Sequence, residues 1–299
     1  MNTAHTYTLR FVRYFSSHRK FGVFEENFIR GMKGSSYSML DNPGIRVVPD
    51  IITPSEAESI WNESHKNIIP NFGLKGRFDD DHVLIDGVKS SSTKMNSIRV
   101  TGRHESPKQK LAPWGYADAF KKDKLPQSFQ VLIEKLHKST GFKFGECRDV
   151  TINYRTEGFF KLDPHVDPSA DGEDVCIVSV GPSPTVITFT PPVHGLDYLP
   201  QTSPQALAAK RRRISAADIS LLSWSDADLD VLSIPRSAVV FSGAARSIWR
   251  HATRTGVAAS SAPNSIDTIN CDWFGSTSQL LPRRPGSRLS IVVAFGKKS

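Results

Sequence analysis

The 299-residue sequence predicts a mainly β fold with flanking helices, of the α+β class, built around an antiparallel sandwich or barrel. Two observations lead there. From Thr151 onward, apolar residues come in short β-rich runs at 151–154, 175–180, 185–190, 231–234, 238–241 and 289–295, with little helical pattern between them. The two strong helical patterns, at 53–63 and 125–140, both precede these runs. With 38% hydrophobic residues the chain has enough apolar surface to bury a sizeable core.

The elements follow in order. The folded part begins near Gly44, where residues 44–49 alternate like a short strand. Thr53-Pro54-Ser55-Glu56 then supplies an N-cap, a proline at the first helical position and an acid three residues after the cap, which starts a helix running to about Glu63. Residues 70–112, rich in Gly, Ser, Asp and Lys with the solvated run Asp79-Asp80-Asp81, read as loops and short hairpins. Phe129, Leu132, Ile133 and Leu136 stand at helical spacing within 125–140, with Pro126 near the start. Residues 191–230 form a long insertion that carries the basic run Lys210-Arg211-Arg212-Arg213 and a capped segment near 215–222. There is no internal repeat.

Composition narrows the class further. No apolar run approaches the ~18 residues of a membrane span, and Cys147, Cys176 and Cys271 are odd in number and far apart, which argues against a disulfide framework or a zinc knuckle. The formal charge is +8, but Arg10, Arg13, Arg19 and Lys20 stand in residues 1–20 without a single acid, so the remainder carries only 34 minus 30, or +4. That N-terminal stretch, basic and rich in Ser, Thr and aromatics, has the composition of an organelle transit peptide. Arg13-Tyr14-Phe15-Ser16 resembles a mitochondrial processing site, so removal to about Phe15 and a mitochondrial location are expected, with the plastid as the alternative.

The chemistry begins at Asp163-Pro164-His165-Val166-Asp167. In an extended segment residues i and i+2 point to the same side, so His165 and Asp167 can bind one metal at adjacent positions. A facial triad needs one more histidine from the end of another strand. His251 qualifies, closing the segment that follows the run 238–241, whereas His5, His18, His65, His82, His104, His137 and His194 lie in less suitable contexts. Such a triad leaves three open positions on Fe(II), enough for a bidentate 2-oxo acid and O₂, and the acid's far carboxylate requires a basic anchor. Arg288 is the candidate, because it opens an otherwise apolar strand on the same face as Ser290, Val292 and Ala294.

His165-x-Asp167, His251 and Arg288, in that order on a β-rich C-terminal half, resemble the 2-oxoglutarate- and Fe(II)-dependent dioxygenases. Tyr154 eleven residues before His165, Ser183-Pro184-Thr185-Val186, and Ser242-Gly243-x-x-Arg246-x-x-Trp249-x-His251 resemble the AlkB-like branch, most nearly the subgroup of the fourth human AlkB homologue and its plant relatives. The resemblance covers roughly residues 44–296, within a domain expected at 44–299. It implies a double-stranded β-helix (jelly-roll) core, Fe(II) on His165, Asp167 and His251, and 2-oxoglutarate held at its distal carboxylate by Arg288 and Tyr154. It also implies a monomer acting on a methylated nucleic acid or protein. The implied reaction is oxidative: 2-oxoglutarate is decarboxylated to succinate while a substrate C–H is hydroxylated, and a hydroxylated N-methyl group is lost as formaldehyde. Two departures stand out. The family's second arginine, six residues after the first, is Ala294, for which Ser290 or an arginine of the Arg283-Arg284 pair is the expected substitute, and Ile152 stands where many members have Asn. A hydroxylase of a protein or small molecule, and a non-catalytic scaffold that keeps the barrel, are the alternatives.

Overall fold

A computed structural model describes residues 29–31, 42–76, 84–85, 88–89, 97–104, 107, 109–155, 162–182, 185–191, 229–253, 268–270, 280–282 and 287–297. Residues 1–20, the run Asp79-Asp80-Asp81, most of the insertion with its Lys210-Arg211-Arg212-Arg213 run, and the Arg283-Arg284 pair lie outside them.

The strands are β1 (Ile29–Gly31), β2 (Ile45–Val48), β3 (Leu74–Gly76), β4 (Leu84–Ile85), β5 (Val88–Lys89), β6 (Ser97–Val100), β7 (Cys147–Arg155) and β8 (Leu162–His165). They continue as β9 (Asp174–Ser179), β10 (Thr185–Thr190), β11 (Leu229–Ser233), β12 (Ala238–Phe241), β13 (Arg250–Thr253), β14 (Thr268–Asn270), β15 (Leu280–Pro282) and β16 (Arg288–Phe295). A seven-stranded sheet has the order β2-β12-β9-β16-β7-β6-β3 and a five-stranded sheet the order β1-β11-β10-β13-β8. Every pairing within them is antiparallel. Along the chain the core strands β7, β8, β9, β10, β11, β12, β13 and β16 switch between the sheets in the manner of a jelly roll, so β8 and β13, far apart in sequence, become neighbours.

Period-2 alternation assigns each face. On β7 and β16, Val150, Ile152, Leu289, Ile291, Val293 and Phe295 join one apolar cluster with Ile60, Phe129, Leu132 and Leu136 of the helices, on the outer face of the larger sheet. Ala294, Val175, Val239, Phe241, Ile187 and Phe189 belong to a second cluster between the sheets.

The first helix, Pro54–Glu63, starts as its capping box requires: the Glu56 amide donates to Thr53 Oγ1 at 3.3 Å and the Thr53 amide to Glu56 Oε2 at 2.7 Å. Lys135 of the second helix, Gln127–Ser139, pairs with the same Glu56 carboxylate and joins the two helices. That second helix buries the four apolar residues whose spacing predicts it.

Several strands depart from the sequence reading, β8 and β13 among them. β8 and β13, Leu162-Asp-Pro-His and Arg250-His-Ala-Thr, lack apolar alternation and are not among the predicted runs. Between 70 and 112, hairpins are present as expected, but β6 joins the large sheet beside β7 and buries Val100 completely.

Candidate metal centre

β8 ends at His165, and its antiparallel neighbour β13 begins with Arg250 and His251. His251 stands directly opposite His165 in the register, a placement that brings side chains within contact on one face of a sheet. The two imidazole centroids are 4.3 Å apart. Asp167 follows two residues after His165, its Oδ1 3.5 Å from His165 Nε2 and its Oδ2 3.7 Å from His251 Nε2. The three donor atoms all lie within 4.8 Å of one another, close enough to share one ion. The three residues expected as ligands are thus brought together.

The electrostatics suit a cation. Burial against Phe189 and Phe241 pushes the His251 imidazole down to about 4, so at neutral pH it presents a lone pair. Burial alone would raise the Asp167 carboxyl, but His251, His165 and Arg246 around it outweigh that and hold it below the ordinary carboxylate range. Two imidazoles and one ionised carboxylate form a donor set for a divalent transition metal with open positions.

Two arginines brace the loop that carries Asp167. Arg246, buried in the short helix Gly243–Ser247 that leads into β13, donates from Nη1 to the Asp167 carbonyl at 3.1 Å and from Nη2 to the Pro168 carbonyl at 2.6 Å. Arg103 donates from Nη2 to Asp171 Oδ2 at 2.5 Å and Asp149 Oδ2 at 2.8 Å. Tyr116 adds its hydroxyl to Asp171 Oδ1 at 2.5 Å. Burial raises both carboxyls, Asp149 to about 6, with Arg103 opposing the rise. Gly172 closes the loop at φ +102°, and a Cβ there would meet the Phe295 carbonyl oxygen at 2.2 Å, so glycine is required.

The triad opens into a cavity of about 120 Å³ between the sheets. Arg288 and Ser290 of β16 line it. Burial lowers the Arg288 guanidinium to about 10, and its buried Nε has no hydrogen-bond partner among the described residues.

Tyr154 is not brought to the cavity. It lies on the other face of β7, its ring edge 4.4 Å from His65 and 6.0 Å from Trp61 by centroid. The cause is register: Tyr154 pairs with Leu289, whose side chain points to the helices, while Asn153 and Arg155 flank it on the cavity face with Thr151. Sequence reasoning gave no role to Asn153, Arg155, Arg99 or Arg103, all of which line the cavity. The signal was present in β7, where Thr151, Asn153 and Arg155 alternate with Val150, Ile152 and Tyr154. Ala294 packs in the apolar cluster between the sheets beside Val175, where a charged side chain would have no place.

No protein-family model matches the chain, and no curated protein does. Among solved structures it is similar to a prolyl hydroxylase from Trichoplax adhaerens in complex with a hypoxia inducible factor peptide fragment, at 9% identity and a TM-score of 0.39, covering 86% of this chain and 85% of that one. It is also similar to a Pseudomonas putida prolyl-4-hydroxylase, at 10% identity and a TM-score of 0.39, covering 86% of this chain and 95% of that one.

Proposed function

We propose that the protein is an Fe(II)- and 2-oxoglutarate-dependent dioxygenase of the AlkB-like type, acting by oxidative demethylation on N-methylated nucleic acid or protein. The observation that carries this reading is the convergence of His165, Asp167 and His251 at a cavity whose wall also holds a half-buried arginine, Arg288. The donor set fits iron: His165, Asp167 and His251 would hold it and would leave further positions free for ligands. When bound, Fe(II) supplies O₂ activation coupled to decarboxylation of 2-oxoglutarate and hydroxylation of a substrate C–H.

The chain's own residues do the rest. Arg288, with Ser290 beside it, provides the counter-charge for the co-substrate's far carboxylate. Ile177, Ile187 and Val292 line the cavity and keep water from the reacting groups. Arg246 holds the Asp167 backbone so that the carboxylate faces both imidazoles. Hydroxylation without demethylation would use the same groups, and assay for formaldehyde separates the two outcomes.

The test is anaerobic titration of the Fe(II) protein with 2-oxoglutarate, followed by exposure to O₂. A weak visible charge-transfer band and uncoupled succinate are expected. Iron-containing protein that gives neither would overturn the reading in favour of a scaffold that keeps the ligands. The basic, acid-free residues 1–20 support mitochondrial import, which a native N-terminus at Met1 or Asn2 would refute.

A further inference from the structure

We propose that Arg155 is a second binding residue for the co-substrate, closing with Arg288 on opposite sides of its far carboxylate. The inference rests on the reading of the site as a 2-oxoglutarate site and concerns which residues of this chain hold the acid.

The argument begins with register. β16 and β7 pair antiparallel with Arg288 directly opposite Arg155, and both side chains line the cavity that holds the triad. Like charges directly opposite one another across a strand pair repel, and burial magnifies the cost because the guanidinium groups surrender water. Burial, then Arg288, then Arg99 push the Arg155 guanidinium well below its ordinary value. An anion placed between Arg155 and Arg288 turns the repulsion into two favourable pairings.

The anion's chemistry follows from the arginine fork. A guanidinium presents parallel N–H donors that match the two oxygens of a carboxylate, and two guanidiniums facing each other can take one carboxylate from opposite sides. The triad lines the same cavity, and a metal held there would take one end of a 2-oxo acid, so the group offered to Arg155 is the far carboxylate. Arg99 does not share this geometry, since it pairs with Asn153, two residues along from the Arg288–Arg155 row. The pair therefore makes Arg155 a specificity residue: it favours 2-oxo acids that end in a second carboxylate over those that end in a methyl group.

The test uses the full chain loaded with Mn(II) and titrated anaerobically by calorimetry with two acids: 2-oxoglutarate, and 2-oxopentanoate, which has the same chain length without the far carboxylate. Losing one charge-assisted partner should weaken 2-oxoglutarate binding about 10- to 100-fold in Arg155→Gln and leave 2-oxopentanoate binding and Mn(II) affinity unchanged. Arg155→Lys, which keeps the charge and loses the fork, should fall between wild type and Arg155→Gln, and it serves where Arg155→Gln does not fold. Unchanged preference for 2-oxoglutarate over 2-oxopentanoate in both variants, with Arg288→Gln losing it, would overturn the clamp and leave the wider reading intact. Wild-type Mn(II) protein that binds neither acid would overturn the wider reading itself.

Discussion

Replacing Arg246 by methionine should weaken metal binding without touching a ligand. The guanidinium is 4% exposed and donates to two backbone carbonyls, those of Asp167 and Pro168. Methionine keeps most of the apolar stem and removes both donors. A hydrogen bond from a charged group is worth about 1.5–3 kcal/mol, and two from one side chain are not additive, so a loss of about 2–4 kcal/mol is expected. For a domain of this size that lowers Tm by about 4–16 °C. The freed backbone also lets the Asp167 carboxylate leave its position between His165 and His251, and loss of such a supporting contact costs about 10- to 100-fold in metal affinity. Co(II) titration followed by visible absorption, at a temperature where thermal melts show both proteins folded, measures this directly. Arg246→Lys should recover part of the affinity, since an ammonium can reach one carbonyl. If folded Arg246→Met binds Co(II) as tightly as wild type, the arginine does not position the ligand loop and the reasoning fails.

Four further outcomes are expected. His165→Ala or Asp167→Ala abolishes Fe(II) binding and turnover, and wild-type iron affinity in the His165 variant would refute the ligand assignment. Arg288→Ala raises the 2-oxoglutarate concentration needed for succinate formation while iron content, by metal analysis, stays at the wild-type level. Tyr154→Phe leaves that concentration unchanged, because the side chain is on the helix side of β7; a rise matching Arg288→Ala would restore the role the family resemblance implies. Asp149 provides a pH test. Its carboxyl is higher in the folded chain than its ordinary 3.8, at about 6, so the folded state binds the proton more tightly and this group's contribution to stability falls as pH rises from 4 through 6. That rise corresponds to about 3 kcal/mol. Asp149→Asn should therefore gain stability relative to wild type across pH 4 to 6 in chemical denaturation, and a gap that stays constant would contradict it.

The sequence made the three candidate ligands legible because two signals reinforce each other: the His165-x-Asp167 spacing is local, and His251 closes a segment just after an apolar strand. The helices were legible for similar reasons, since capping and helical spacing act within a few residues of one another. β8 and β13 were not, although they carry both histidines. Their stability comes from being paired, β13 between β10 and β8 and β8 against β13, so their own residues need no apolar alternation and left no pattern to read. Tyr154 failed for another reason. The family resemblance placed it at the site, but a strand offers only two faces, and Val150 and Ile152 had already committed every second residue of β7 to the helices.

The same two-face logic explains why arginines gather where they do. A jelly roll closes its interior with apolar residues along most of its length, here Val175, Ile187, Phe189, Val239, Phe241 and Ala294. Toward one end the inward row changes character: β16 runs from Ala294 through Val292 to Ser290 and Arg288, and β7 opposes it with Thr151, Asn153 and Arg155. Along β16 the row passes from Ala294 and Val292 to a hydroxyl and then a guanidinium, while β7 passes from the buried Asp149 opposite Ala294 through Thr151 and Asn153 to Arg155. The triad and the arginines line one cavity, with Asp167 the acid among its lining residues. Guanidinium groups are costly to bury without counter-charge: Asp149 and Asp171 supply it to Arg103, and the proposed acidic ligand would add to it where Arg288 and Arg155 stand. The change of character along β16 therefore supports the proposed acidic ligand: a strand that served only the fold would have continued the apolar row to its end.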